Sequence, residues 1–218
     1  MKKERLRRKA CGRCLIGIVV CLVILLPVDL PFPVMPASAA AEIARQTGNA
    51  CNPPPITVPS LPKVIPGYTE LDEETGLHVT GTPPSLDFPQ YRLEVSGKVN
   101  RPLQLKYDEL RCMPKVTVRP ELVCPGFFVD VASWSGTPLK HILEKAGVKA
   151  GARQVRLTAA NHYFIVLSLK QAMAESALIA YEWEGKPLPI LHGFPVRAVL
   201  PGLEGNMWVK WLRKIEVN

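Results

Sequence analysis

The residue whose type and setting best suit chemistry is Cys124. It closes the β-rich run 116–123 and enters Pro125-Gly126. A thiol at a strand end emerges from a rigid scaffold, which is where functional groups are presented. As a thiolate it is a soft metal ligand; the plainer alternative is a buried structural cysteine. A second group is His192-Gly193-Phe194-Pro195-Val196-Arg197, followed by Lys210 between Val209 and Trp211. Arginine offers a planar fork of donors suited to phosphate, and lysine adds a compact positive charge. With glycines allowing close backbone approach, two such cations near strand ends suit an anionic cofactor. Otherwise they are edge-strand cations facing water. The remaining histidines, His78, His141 and His162, are scattered. No G-x-S-x-G, H-E-x-x-H or P-loop occurs, and no C-x-x-C follows the leader, so a zinc site or serine triad is hard to assemble.

The elements that must hold these residues read as irregularly alternating strands and short helices. Tyr91, Leu93 and Val95 alternate with polar residues, a half-buried strand ending at Gly97. Thr137 reads as a helix cap with Pro138 at the first position, and Leu139, Ile142, Leu143 and Ala146 form one apolar face stopped by Gly147. Ser168 and Gln171 form a capping box for a helix over 169–174. Runs 155–159, 177–183, 196–200 and 208–217 read as strands, the last with Val209, Trp211, Ile215 and Val217 on one face. No clean βαβ rhythm appears. The expected class is mixed α+β in a single domain over 88–218.

Ahead of that domain lies a different composition. A basic stretch from Lys2 to Arg13 precedes the 12-residue apolar run 15–26, and Ala37-Ser38-Ala39-Ala40-Ala41 offers A-x-A cleavage. The run is shorter than the roughly 20 residues of a spanning helix, though it can extend past Pro27. Residues 1–41 therefore read as a cleaved signal or a retained membrane anchor, with the rest of the chain extracytoplasmic. Arg7-Arg8 leaves the export route open. The net charge of +8 belongs to this leader: residues 40–218 hold 20 basic against 17 acidic side chains. That gives no electrostatic case for nucleic acid. Thirteen of 22 prolines fall from Pro27 to Pro89, so residues 42–87 read as a stiff, exposed spacer, with regular structure starting near Tyr91. Beyond the leader, Cys51, Cys112 and Cys124 make an odd set. One reading pairs Cys51 with Cys112 and leaves Cys124 free; the other leaves all three unpaired.

Residues 88–218 resemble the molybdopterin-binding domain of the sulfite oxidase family. The likeness rests on Tyr91-Arg92-Leu93-Glu94-Val95-Ser96-Gly97, on Cys124-Pro125-Gly126 with Trp134-Ser135-Gly136-Thr137-Pro138-Leu139 ten residues on, and on His192 through Leu212. The resemblance implies a mixed α+β fold and a molybdenum-molybdopterin cofactor. It implies that Cys124 gives its thiolate to the metal and that His192, Arg197 and Lys210 hold the pterin and its phosphate. Trp208 and Val209 would add backbone groups, and Asn161 would stand in the middle loop. The protein would perform two-electron oxygen-atom transfer on a small molecule, with electrons from an external partner such as a membrane haem protein or cytochrome.

There are departures from the family pattern. Sulfite-oxidising members carry an arginine five residues after the metal cysteine; here that position is Val129, flanked by Phe127 and Phe128. This predicts an apolar wall and poor sulfite oxidation. The Arg-Asn-His segment that usually precedes the domain is not evident, His78-Val79-Thr80 being the nearest match. The family's dimerisation and haem domains are not expected in this chain. A non-catalytic pterin- or ligand-binding module with the same fold is the alternative reading.

Overall fold

The computed structural model describes residues 51–218. The basic leader, its apolar run and cysteines, and residues 42–50 of the expected spacer lie outside the described residues. Among those described, no helix is long and apolar enough to cross a membrane.

Mixed α+β architecture is observed. In chain order the elements are β1 (Leu71–Asp72), β2 (Leu77–His78), β3 (Leu93–Gly97), β4 (Leu103–Leu105), α1 (Tyr107–Arg111), β5 (Val116–Val118), β6 (Glu121–Cys124), β7 (Phe128–Val131) and β8 (Trp134–Pro138). Then follow α2 (Leu139–Ala146), β9 (Gln154–Ala159), β10 (Phe164–Ser168), α3 (Leu169–Ala172), β11 (Leu178–Trp183), β12 (Lys186–Pro187), β13 (Arg197–Val199) and β14 (Leu212–Val217). One sheet has the order β10-β9-β14-β3-β4 and the other β12-β11-β8-β5, with β13 also on β11. Only β14 and β3 pair in parallel; the remaining neighbours are antiparallel. Alternation along β3 and β9 buries Leu93, Val95, Val155 and Leu157. They share one core with Trp134, Ile179 and Tyr181 from the second sheet and with the Leu139, Ile142, Leu143 face of α2. The β1–β2 and β6–β7 hairpins stand apart from both sheets.

Local readings are corrected in four places. Regular structure begins at Leu71, not near Tyr91, because the charged patch folds into the β1–β2 hairpin. The run 116–123 breaks at Arg119-Pro120 into β5 and β6, since proline cannot donate to a ladder. Thr137 does not cap α2: Pro138 holds the cap position, and Thr137 Oγ1 donates to Leu110 O at 2.9 Å. The final strand starts at Leu212, because Trp211 has φ 51° and interrupts the alternation. The Ser168–Gln171 capping box is present, with Gln171 N donating to Ser168 Oγ at 3.2 Å and Ser168 N to Gln171 Oε1 at 2.9 Å. Cys51 and Cys112 form a disulfide, leaving Cys124 as the free thiol among the described residues.

Candidate cofactor cavity and active site

Cys124 sits where β6 turns into β7. Phe127 N donates to Cys124 O at 3.0 Å and Gly126 has φ 79°, so Pro125 and Gly126 occupy the two central places of a type II turn. The turn fixes the register: Cys124 faces Phe128 and Leu122 faces Asp130. Because side chains alternate, these four share one face of the hairpin and line a cavity of about 350 Å³. Val129, on the other face, is 56% exposed and away from the cavity, as is the 68% exposed Phe127. Val129 as a cavity wall is therefore corrected; Phe128 takes that place.

Two cations stand in the same cavity. Arg197, on β13, is buried with its guanidinium over Trp134 at 4.5 Å and over Trp208 at 5.8 Å. Its Nη1 donates to His192 O at 3.1 Å, and its buried Nε has no partner among the described residues. Lys210 Nζ lies over the Trp211 ring at 4.8 Å and donates to Leu191 O at 2.9 Å and to Thr80 O. Gly193, with φ 115°, lets the two approach: a Cβ there would come within 3.0 Å of Arg197 Cβ and 3.3 Å of Lys210 Cα. Among the described residues neither cation is ion-paired to a carboxylate. Burial pushes Arg197 down to about 9, the charge of Asp130 opposing the shift. Burial, then repulsion from Arg197, pushes Lys210 down to about 7. Both shifts arise chiefly from burial, which disfavours the charged form.

Two histidines are tied to buried carboxylates through opposite ring nitrogens. His78 Nδ1 lies 2.7 Å from Asp130 Oδ1, and His78 N donates to Asp130 Oδ2 at 2.8 Å. The His78 ring stacks on Phe128 at 4.4 Å, which places it beside the strand pair that carries Cys124. His192 Nε2 lies 3.0 Å from Asp72 Oδ2. Burial pushes His192 down to about 4, with Lys210 and Arg197 adding to the shift and Asp72 opposing it. His192 is therefore neutral at pH 7.

Of the sequence-predicted residues, the fold brings Cys124, His192, Arg197, Trp208, Lys210 and Asn161 to one cavity. Asn161 stands in the β9–β10 connection, where its Oδ1 accepts from Tyr163 N at 3.2 Å. Trp208 is buried and its Nε1 donates to Leu203 O at 3.1 Å. Val209 does not reach the lining: it is fully buried in the core, and its carbonyl accepts from Ala198 N at 2.8 Å. Sequence reasoning missed Asp72 and Asp130, and it named His78 and Thr80 only as part of a poor match to a family segment, with no place in the site. Three of these lie in the stretch read as a spacer. No cluster of three His, Cys, Asp or Glu side chains suited to a metal ion occurs among the described residues.

Comparison with known proteins gives the family. The family model "Oxidoreductase molybdopterin binding domain" matches residues 80–218. The uncharacterized oxidoreductase YuiH of Bacillus subtilis is 34% identical over 141 residues, covering 64% of this chain and 71% of that protein. Mitochondrial sulfite oxidase of Homo sapiens is 31% identical over 165 residues, covering 62% of this chain. This chain spans only 30% of that enzyme's length. Among solved structures, sulfane dehydrogenase SoxCD of Paracoccus pantotrophus shares the fold, with a TM-score of 0.60 and 21% identity over 93% of this chain and 56% of its own. With most of the described chain matched from Thr80 to its last residue, the protein belongs to the oxidoreductase molybdopterin-binding family of sulfite-oxidase type and is a molybdenum-cofactor oxidoreductase.

Proposed function

We propose that this enzyme carries out two-electron oxygen-atom transfer outside the cytoplasm, on a small neutral substrate such as an S-oxide or N-oxide. The observation that carries the site assignment is the convergence on one cavity of a free thiol and two cations, Arg197 buried and Lys210 half-buried, neither ion-paired to a carboxylate among the described residues. The residues present fit molybdenum-molybdopterin. Arg197 and Lys210 lack the anion that a phosphate would supply, and the orphaned Arg197 Nε is a donor in waiting. When bound, the cofactor supplies the two-electron redox chemistry, and the protein positions it and tunes it. Cys124 would offer its thiolate to the metal. Arg197 and Lys210 would hold the phosphate. Asn161 and Trp208, which line the same cavity, would help hold the pterin, with Val209 serving only through the backbone beside Lys210 and Trp208.

The substrate class follows from what lines the cavity beside Cys124. Leu122 and Phe128 are apolar, and the nearby ionisable side chains are His78 and the buried carboxylate Asp130. With Arg197 and Lys210 engaged by phosphate, a dianion such as sulfite would meet a buried carboxylate and no further lysine or arginine among the described residues that line the cavity. An uncharged oxide avoids that cost. Paired steady-state assays on molybdenum-loaded protein test this: kcat/KM for reduction of at least one neutral oxide is expected to exceed that for sulfite oxidation, and the reverse order for every oxide tried would refute it. An external haem protein or cytochrome is the electron donor in this reading. The signal- or anchor-like leader and the Cys51–Cys112 disulfide support the extracytoplasmic assignment, since such bonds persist in oxidising compartments.

A further inference from the structure

The β1–β2 hairpin lies ahead of the region matched by the family model, yet its Leu77 and His78 line the cavity and its Asp72 and Thr75 pack against His192, which lines it too. Asp72 is only 6% exposed. Its Oδ2 accepts from Thr75 Oγ1 at 2.8 Å, and its Oδ1 accepts from Glu74 N at 3.2 Å. Although burial works against the charged form, the hydrogen bonds from Thr75 and His192 hold the Asp72 carboxyl below its ordinary range. The carboxylate is thus an acceptor only.

Thr75 has spent its one proton on Asp72, so the Thr75 oxygen that stands 3.0 Å from His192 Nε2 is an acceptor as well. Two acceptors therefore converge on Nε2, Asp72 Oδ2 at 3.0 Å being the other. That nitrogen must carry hydrogen. A neutral imidazole has one N–H, so Nδ1 is left with a bare lone pair. Nδ1 has no partner among the described residues, and His192 lines the cavity.

We infer that Asp72 and Thr75 are positioning residues that fix His192 as a hydrogen-bond acceptor toward the cavity, so that His192 takes an N–H group of the pterin while Arg197 and Lys210 take the phosphate. A histidine held in the opposite tautomer would donate, and it would compete with the two cations for phosphate oxygen. The hairpin thereby gives the cavity a polarity, donors at one place and an acceptor at another, that admits an elongated ligand in one direction. This rests on the cofactor assignment of the cavity and not on the choice of substrate.

The test uses the full chain, loaded with molybdenum-molybdopterin and labelled with ¹⁵N in its histidines. Long-range ¹H–¹⁵N spectra at neutral pH, assigned by loss of signals in His192→Gln, should show His192 neutral with its proton on Nε2. A proton on Nδ1, or on both nitrogens, would overturn the inference. This readout does not depend on any turnover, so it stands apart from the oxide-against-sulfite assays. In Asp72→Asn the single tautomer should be lost, and pterin release through gel filtration, read by fluorescence of the oxidised pterin, should quicken about tenfold. Asp72→Glu, which restores a carboxylate, should recover part of that loss. Retention of both the tautomer and the pterin at wild-type levels in Asp72→Asn contradicts the inference, and failure of that variant to fold leaves the wild-type spectrum as the deciding measurement.

Discussion

Taking a charge out of water without a counter-charge is costly, and buried Arg197 and half-buried Lys210 both lie in the cavity with no carboxylate in ion-pair reach among the described residues. Charge-assisted contacts to a phosphate are worth roughly 1.5–3 kcal/mol each. Arg197→Ala or Lys210→Ala is therefore expected to speed pterin loss about tenfold or more while folding is less affected. Dialysis of the loaded variants, with the retained pterin quantified, checks this. His192 gives a second expectation, in pH. Its folded pKa of about 4 lies below the ordinary value of 6.5. Between those values the unfolded chain binds a proton that the native chain refuses. The part of the stability that depends on His192 is thus full above pH 6.5 and is lost as pH falls through about 4, by about 3 kcal/mol at most. Asp72, held below the carboxylate range, carries the loss further down in pH. Urea unfolding at pH 7 and pH 4 should show the decline, and His192→Gln should flatten it. At this scale Cys124, Arg197 and Lys210 were legible in the sequence, because a thiol or cation inside an apolar, glycine-punctuated run stands out. Asp130 was not: it faces inward only because the Pro125-Gly126 turn sets the hairpin register, and a one-residue slip would turn Val129 inward instead.

Among the elements, the β1–β2 hairpin and the segment leading to it change the picture most. Leu71-Asp72-Glu73-Glu74 in a proline-rich stretch looks like solvated surface, and only the fold shows Asp72 buried against His192 and the Thr80 carbonyl on Lys210. Pairwise contacts between residues more than 100 positions apart leave no local signature. The helix over Leu139–Ala146 and the strand at 93–97 were legible because their apolar periods match their geometry, and the strand at 178–183 because a short apolar run ends at the Gly185 turn. The Cys51–Cys112 bond ties the leading segment to the end of α1 across a sequence separation of 61. Cys51→Ser with Cys112→Ser is expected to cost about 2–4 kcal/mol in urea unfolding and to loosen the hairpin that flanks the cavity. Faster amide exchange over residues 69–79 in the double variant would register the second effect.

For the molecule as a whole, two sheets and one shared core act as a scaffold on which two hairpins meet: β6–β7 brings Cys124 and Asp130, β1–β2 brings Asp72 and His78. The fold class was readable from irregular strand–helix alternation, whereas the closing of one cavity by both hairpins was not. In the proposed reading this cavity holds molybdenum-molybdopterin through Cys124. The most direct test is elemental and pterin analysis of full-length protein made in a molybdenum-replete host, beside Cys124→Ser. About one molybdenum and one pterin per chain are expected in the wild type. The Cys124→Ser variant is expected to lose most of its metal, because a serine oxygen is a harder and poorer partner than thiolate. Wild-type protein free of molybdenum despite ample cofactor, or a serine variant with full metal and full activity, would contradict the account.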